Sequence, residues 1–404
     1  MAMTDERHGP LHPLSILDVA DGGAGFCSRL LADLGAAVLR VERPGGDPSR
    51  DFGPFARDPA SPEGSLSFWH HNANKRGITL DIRQAEGRAL FLKLAEKADV
   101  VVESFPPGTL ASLELDYPVL NNTNPRLILV SLTGFGQDGP RSRDLSCDLV
   151  AAACGGQMAV SGDPATPPLA AYGRQPAYVT SLYGAVAVLL ALRRRARSGK
   201  GEHIDLAAQE CVASTLDHVL VRCFHDRLVA QRRGNVSWNG ASFILPCRDG
   251  RIQVNIAAQW ETLVEWMAGE GMAGELADEV WRDEGYRQRH VERVIAIMGD
   301  WTRTHRVGEL FELAQAMRFP WAPVAAPDEV LESPQLKDRR FFREVEGPEG
   351  QPVAYPGLPY RFVPPIERAM KRAPRIGEDN VAVYRDELGL SATEIGRLLA
   401  GKVI

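Results

Sequence analysis

Residues 14–43 read LSILDVADGGAGFCSRLLADLGAAVLRVER. The apolar run 14–19 predicts a short strand, and Ala20-Asp21-Gly22-Gly23-Ala24-Gly25 is a turn of small residues. Over 26–34, Phe26, Leu30, Leu31 and Leu34 fall on one side at helical spacing. Gly35 suits the position after a helix C-terminus, and Ala37-Val38-Leu39-Arg40-Val41 predicts the next strand. A second strand–helix–strand unit follows, with strands over 77–80 and 99–102 and a helix over 85–97. A further apolar run, 127–132, comes after Asn124-Pro125. Repeated units of this kind demand crossovers, so the strands lie parallel in one sheet covered by helices. The expected fold class is α/β. Ligands on such sheets bind outside the carboxyl ends of the strands.

The 404 residues carry 46 Lys+Arg against 52 Asp+Glu, a formal net charge of −6, and 44 % are hydrophobic. That composition excludes a disordered chain, a collagen-like chain and a disulfide miniprotein. The length predicts two or three domains. The acidic balance argues against nucleic acid or an anionic membrane as the main partner, although an anionic small ligand needs only a few local cations. Cysteines stand at 27, 147, 154, 211, 223 and 247 with no C-x-x-C pair, as expected of reduced, packed thiols in a cytoplasmic protein. The opening MAMTDERHGP lacks a signal-peptide apolar core. The most apolar stretch, 179–192, is about 14 residues long, short of the roughly 20 that a membrane span needs, and predicts a buried helix.

Beyond residue 195 the basic segment 193–201 reads as a flexible turn, and 203–206 as a strand leading into a helix through about Leu228. Gln231-Arg232-Arg233-Gly234-Asn235 is turn-rich and marks a boundary. Strands over 242–246 and 251–256 flank Arg248-Asp249-Gly250, a hairpin signal. Helical patterns dominate 261–317, so this middle part predicts a small α+β domain. Segments 329–331 and 393–399 look helical, and the Pro-rich run 352–365 is expected to wrap a surface.

The turn Gly22-Gly23-Ala24-Gly25 sits where backbone N–H groups can meet a phosphate; it is equally a plain tight turn between strand and helix. Arg43 lies just past a strand end, where a guanidinium can hold phosphate or stack on a base. Arg40, Arg50, the run Asn74-Lys75-Arg76 and Arg83 add positive charge at nearby strand ends. Such clusters along one sheet edge of an acidic protein favour an anionic ligand with several phosphates. His70-His71 are adjacent and share no helix face, so a surface or subunit-contact role is expected of them.

The ordered series Val41-Glu42-Arg43-Pro44-Gly45, Asn74-Lys75-Arg76, Leu80-Asp81, Pro107-Gly108-Thr109-Leu110, Leu132-Thr133-Gly134-Phe135-Gly136 and Gly199-Lys200-Gly201 resembles the family III CoA-transferases. Arg372-Ala373-Pro374 and Gly377-Glu378 extend the match to the C-terminal part. The resemblance implies a large Rossmann-like domain from both chain ends and a small domain from the middle, with boundaries here at 1–225, 226–325 and 326–404. It implies two interlocked subunits. It also implies CoA or an acyl-CoA as substrate, with no permanently bound cofactor and no metal. Carried over by position, Arg43, Leu80, Ile82, Arg83, Ser104 and Phe105 would line the CoA site. Ala111-Ser112 stand where the family often has an Arg.

Transferases of this family use an Asp nucleophile before the long apolar helix. Registering Ser181-Leu182-Tyr183 on the family's Gly-Leu-Tyr puts Ala177 in that position, and no Asp or Glu occurs between Asp163 and Glu202. Alanine carries no nucleophile, and the hydroxyls of Tyr178, Thr180 and Ser181 have no base beside them in sequence. The racemase branch would need a His where Cys147 stands. Cys147 is expected to be a packed thiol, and Asp148 to cap a helix beginning at Leu149. Trp238 and Phe243 are apolar candidates for an acyl pocket. The family includes heteromers, among them those acting on benzylsuccinate. The chain resembles a partner subunit of such a pair, completing the site of a paralogue with an intact Asp. A homodimeric lyase or racemase with other catalytic residues, and a CoA-binding protein without activity, are the alternatives.

Overall fold

The computed structural model describes residues 9–57, 60–347, 350–363, 365 and 369–404. Residues 1–8 of the charged N-terminal stretch and Pro364 of the Pro-rich run lie outside the described residues. The chain forms two compact units. The first comprises Met1–Gln157, Ala170–Phe224 and Asp338–Ile404, and the second Met158–Leu169 and His225–Lys337.

The first unit is built on a parallel six-stranded sheet. Its strands are β1 (Ser15–Asp18), β2 (Ala37–Glu42), β3 (Arg76–Thr79), β4 (Val100–Glu103), β5 (Ile128–Thr133) and β6 (His203–Ala207), in the spatial order β3-β2-β1-β4-β5-β6. The crossovers carry helices α1 (Gly25–Asp33), α2 (Leu66–Asn72), α3 (Ala85–Ala95), α4 (Thr109–Ser112), α5 (Tyr117–Thr123), α6 (Asp148–Cys154) and α7 (Gln175–Ser198). Side chains alternate across the sheet as the strand period requires. Ile16, Val100, Val102, Ile128 and Val130 enter one core with Leu30, Leu31, Ala185 and Val188 of α1 and α7. Leu17, Val101 and Leu129 enter the other with Phe91, Leu94 and the C-terminal Val383, Tyr384 and Ile404.

The returning C-terminal segment closes the β3 edge. Asp379 accepts the Gly77 N–H at 2.8 Å, Asn380 accepts that of Thr79 at 2.9 Å, and the Tyr384 hydroxyl donates to the Thr79 carbonyl at 2.6 Å. An edge strand left bare would template pairing with another chain. Gly77 must be glycine here, because a Cβ would lie 2.8 Å from the Pro374 ring.

Three expectations change in this unit. The apolar helix is 24 residues long, long and apolar enough by length and composition to cross a membrane, and the supposed basic turn is its last part. It packs on β5 and α1. Arg195 stays inside by pairing with Asp99 at 2.8 Å and donating to the Arg126 carbonyl at 3.0 Å. Only one face is buried, through Ala185, Val188 and Ala191, while Leu182, Tyr183, Val186, Leu189 and Leu190 are exposed. The helix after β6 is two helices, α8 (Ala208–Ala213) and α9 (Asp217–Asp226). Part of the Pro-rich run forms a strand, described below.

In the second unit an antiparallel sheet of β7 (Ser242–Pro246), β8 (Arg251–Asn255) and β9 (Ala322–Pro323) packs with α10 (Trp260–Gly269), α11 (Glu284–Arg289), α12 (Val291–Thr302) and α13 (Val307–Ala316). Phe243, expected in an acyl pocket, is 1 % exposed in this core among Trp260, Trp301 and Trp321. Trp238 is exposed. Residues 158–169 join this unit because Arg232 donates to the Pro164 and Thr166 carbonyls and Gly234 to that of Gly162. Helices α14 (Pro327–Glu332) and α15 (Pro334–Asp338) lead out of it. Back in the first unit, β10 (Phe342–Glu346) pairs antiparallel with β11 (Pro352–Pro356), and α16 (Ala392–Ala400) follows.

Candidate active site

Strand β1 ends at Asp18, whose carboxylate is fully buried. It accepts from Ser28 Oγ at 2.6 Å and the Ala20 N–H at 3.0 Å, and pairs with Lys75 Nζ at 2.7 Å and Arg40 at 3.2 Å. Burial alone would push this carboxyl up; Lys75 and then Arg40 outweigh burial and hold it below the usual carboxylate range. Lys75 also donates to the Gly25 carbonyl and to Asn72 Oδ1, both at 2.8 Å. Arg40 pairs in addition with Asp47. Arg50 binds Glu42 through two nitrogens at 2.7 and 2.8 Å, its guanidinium 3.7 Å over the Phe68 ring.

Three of the cations that the sequence offered as phosphate ligands are therefore internal counter-ions. Arg40, Arg50 and Lys75 are buried, and Arg76 pairs with Asp379 and Glu387. Among the residues assigned to the CoA site, Arg43 and Arg83 are exposed. Arg43 donates through Nε to the Gly46 carbonyl at 3.1 Å, and Arg83 pairs with Asp81 at 2.9 Å. Leu80 and Ile82 lie in the sheet core with Phe105 packed against it. Ser104 Oγ accepts the Asp21 N–H at 2.8 Å and so anchors the glycine turn. The structure thus groups Leu80, Ile82 and Phe105 in one cluster and ties Ser104 to the turn.

That turn lies against the start of α7. A Cβ on Gly23 would stand 2.8 Å from that of Ala177. Ser181 Oγ donates to the Gly23 carbonyl at 3.3 Å, and Thr180 to that of Pro176 at 2.8 Å, so both hydroxyls are already engaged. Pro176 has no N–H, and Arg174 before the helix makes no side-chain cap. The cap comes from elsewhere: Asp148 Oδ1 accepts the Ala177 N–H at 2.9 Å. Asp148 is itself the first residue of α6, so the cap expected for that helix instead serves α7. Burial raises its pKa, against the opposing Ala177 N–H and Arg174. Cys147, expected to be packed, is exposed.

Of His70-His71, expected in a surface or subunit-contact role, His71 is buried and His70 half-buried. His71 is 3 % exposed. Tyr178 meets Phe26 edge-on at 4.9 Å between centroids, with His70 at 5.9 Å and His71 at 5.8 Å, and Phe26 stacks on His70 at 5.4 Å. Burial is the first cause that lowers His70 to about 4 and His71 to about 3. Both imidazoles are neutral at pH 7. A second polar group escaped the sequence reading. A cavity of about 140 Å³ near the ends of β4 and β5 is lined by Glu103, Tyr117, Ser131 and His203, with Ser131 Oγ 2.9 Å from His203 Nε2. The alternation of polar residues Ser131 and Thr133 in β5 and His203 and Asp205 in β6 was its signal.

A family model described as CoA-transferase family III matches residues 11–380. The chain belongs to CoA-transferase family III. It is 33 % identical over 394 residues to the succinyl-CoA:(R)-benzylsuccinate CoA-transferase subunit BbsE of Thauera aromatica, covering 95 % of each chain. It is 31 % identical over 410 residues to the succinyl-CoA–L-malate CoA-transferase alpha subunit of Chloroflexus aurantiacus, covering 99 % of this chain and 94 % of that one. The solved CAIB/BAIF family protein from Brucella suis has a TM-score of 0.84 at 28 % identity, over 94 % of this chain and 99 % of its own. In this member of the family, position 177 holds alanine, whose N–H donates to the Asp148 carboxylate.

Two outcomes follow from the buried charges and the imidazoles. Lys75→Met leaves Asp18 short of its closest cation, and loss of one partner of a buried pair costs about 3–5 kcal/mol; urea unfolding of the variant measures it. The second concerns pH. Below about 6.5 the unfolded chain protonates its histidines, whereas folded His70 and His71 stay neutral down to about 4 and about 3. Their contribution to stability is complete above pH 6.5 and is lost as pH falls toward 4. The urea midpoint therefore drops between pH 7 and 5, and a His70→Phe/His71→Phe double variant flattens that drop; an unchanged slope would place the protons elsewhere.

Proposed function

We propose that the chain is one subunit of a heteromeric family III CoA-transferase, and that an Asp-bearing paralogous subunit supplies the nucleophile. The observation that carries the reading is Ala177 at the start of α7. Moving CoA between two carboxylic acids without hydrolysis needs a protein group that accepts an acyl group and keeps it activated. A carboxylate does this as a mixed anhydride; a methyl group does not. The chain's part is then to form walls of the partner's pocket and to hold CoA along the strand ends, with Arg43, Arg83, Ser104 and Phe105 facing the ligand and Leu80 and Ile82 shaping the ground beneath it.

The relatives support a divided enzyme, since two of those most similar are themselves named as subunits. They also support succinyl-CoA as donor and, through the benzylsuccinate relative, an aromatic or branched acid as acceptor. The exposed stripe Leu182, Val186, Leu189 and Leu190 on α7 recurs at helical spacing. Apolar stripes of this kind mark protein interfaces, and an interlocked pair of large domains in the cytoplasm gives it a partner.

Native mass spectrometry on the chain co-expressed with its genomic neighbours tests the reading. A one-to-one complex with an Asp-bearing paralogue is expected, and an active homodimer would overturn it. Val186→Glu, which adds a charge to an exposed position, is expected to dissociate that complex while leaving the thermal midpoint of the isolated chain nearly unchanged.

A further inference from the structure

Four acidic side chains are buried among the described residues: Asp18, Glu42, Asp47 and Glu103. Arg40 and Lys75 meet Asp18, Arg50 meets Glu42, and Arg40 meets Asp47. Glu103, at the end of β4 and 2 % exposed, has no cation beside it among the described residues. Its carboxylate accepts the Phe105 N–H at 2.7 Å and a hydrogen bond from the Ser131 hydroxyl. Burial acts on it first and raises its pKa; those two donors oppose burial, and the Asp205 carboxylate adds to it. A buried carboxylate with hydrogen bonds but no counter-charge breaks the rule that the other three obey.

There is room for that counter-charge. Glu103 lines the cavity of about 140 Å³, at the carboxyl ends of parallel strands, where ligands of such sheets bind. Gln137 lines it too, and its Nε2 is buried without a hydrogen-bond partner. Asp205 holds that residue in place by accepting its backbone N–H at 2.9 Å. Asp116 adds a second carboxylate to the lining, and Leu110 and Leu129 add an apolar wall. No lysine or arginine is among the lining residues. His203 supplies no charge at neutral pH, because partial loss of water around its ring lowers its pKa against the pull of Asp205. The residues assigned to CoA, from Arg43 to Phe105, do not line this cavity.

We propose that the cavity binds a small primary ammonium ion that carries a hydroxyl or carbonyl oxygen. The ammonium is the counter-charge of Glu103 and Asp116, the oxygen accepts from Gln137 Nε2, and the carbons between them lie on Leu110 and Leu129. The same two carboxylates repel an anion, and a neutral polyol leaves Glu103 unpaired. The site makes no use of position 177 and does not depend on a second subunit.

Isothermal titration calorimetry of the full chain with ethanolammonium chloride, at pH 8 and fixed ionic strength, tests the proposal. Saturable one-to-one binding is expected. Ethylene glycol and sodium glycolate, similar in size but neutral and anionic, are expected to give no saturation. Glu103→Gln keeps an acceptor for the Phe105 N–H and removes the charge. It is expected to raise the Kd at least about tenfold, the scale of a lost hydrogen bond to a charged group, and an unchanged thermal midpoint shows that the variant is folded. Asp116→Asn, at a half-buried position, reads the charge a second time and is expected to weaken binding by less. Gln137→Ala is expected to weaken ethanolammonium more than methylammonium, which has no oxygen to accept the amide N–H. Absence of saturation by ethanolammonium overturns the proposal, and so does equal binding by ethylene glycol or by a folded Glu103→Gln. None of these outcomes depends on the composition of the native complex, so this proposal and the heteromer reading fail separately.

Discussion

Asp18 ends the first strand with a carboxylate buried from water, and the layout of the site follows from neutralising it. A buried charge persists only where opposite charges and hydrogen bonds meet it. Those come from β2 through Arg40, from the residue before β3 through Lys75, and from α1 through Ser28. Lys75 also holds the Gly25 carbonyl at the start of α1 and Asn72 at the end of α2. One ion cluster thus fixes the turn 21–25 in relation to three strands and two helices. The turn in its place brings Gly23 against Ala177. The contact at the start of α7 is set, at two removes, by a carboxylate buried from water.

Periodicity alone placed β1, β2, β4, β5 and the first helix within a residue or two, because each is a local pattern that one core face enforces. The hairpin around Asp249 was legible for the same reason. What the pattern does not carry is the choice of partner. Arg40, Arg50 and Lys75 look the same in sequence whether they meet a ligand's phosphate or an internal carboxylate, and only the fold puts Asp18, Asp47 and Glu42 beside them. Asp148 lies before a helical pattern, so a linear reading assigns it to that helix; its real contact is 29 residues away. His70 and His71 read as polar, and their packing depends on Phe26 and Tyr178 arriving from two other helices. Phe243 is a different kind of miss, since its alternation with Ser242 and Ile244 already pointed it and Leu245 to one face, the buried one.

The length of α7 was underestimated because the charges after residue 192 look like a terminus. A helix ends where its backbone must turn, and here that is Gly199 at φ +74°. Arg195 stays helical because Asp99 and two carbonyls receive its guanidinium. The Pro-rich run misled in the opposite sense. Proline at the two ends of β11 removes donors only where the strand stops, so a composition that looks like coil still pairs between them.

The same helix bears Ala177 at its start and the exposed apolar stripe. At 1.5 Å per residue, Val186 lies only about 13 Å along the axis from Ala177. A surface that seats a second chain on that stripe therefore holds the first turn of α7 at a fixed depth beside the joint. This gives physical content to the proposed reading of a subunit without the aspartate. The features that position the helix start are the Asp148 cap, the Gly23 contact and the Phe26–Tyr178 cluster, and none of them involves a side chain at 177 longer than a methyl. On the proposed reading, loss of the nucleophile removes one reacting group and leaves the scaffold around it intact. That scaffold is what the site of the proposed partner would need from this chain.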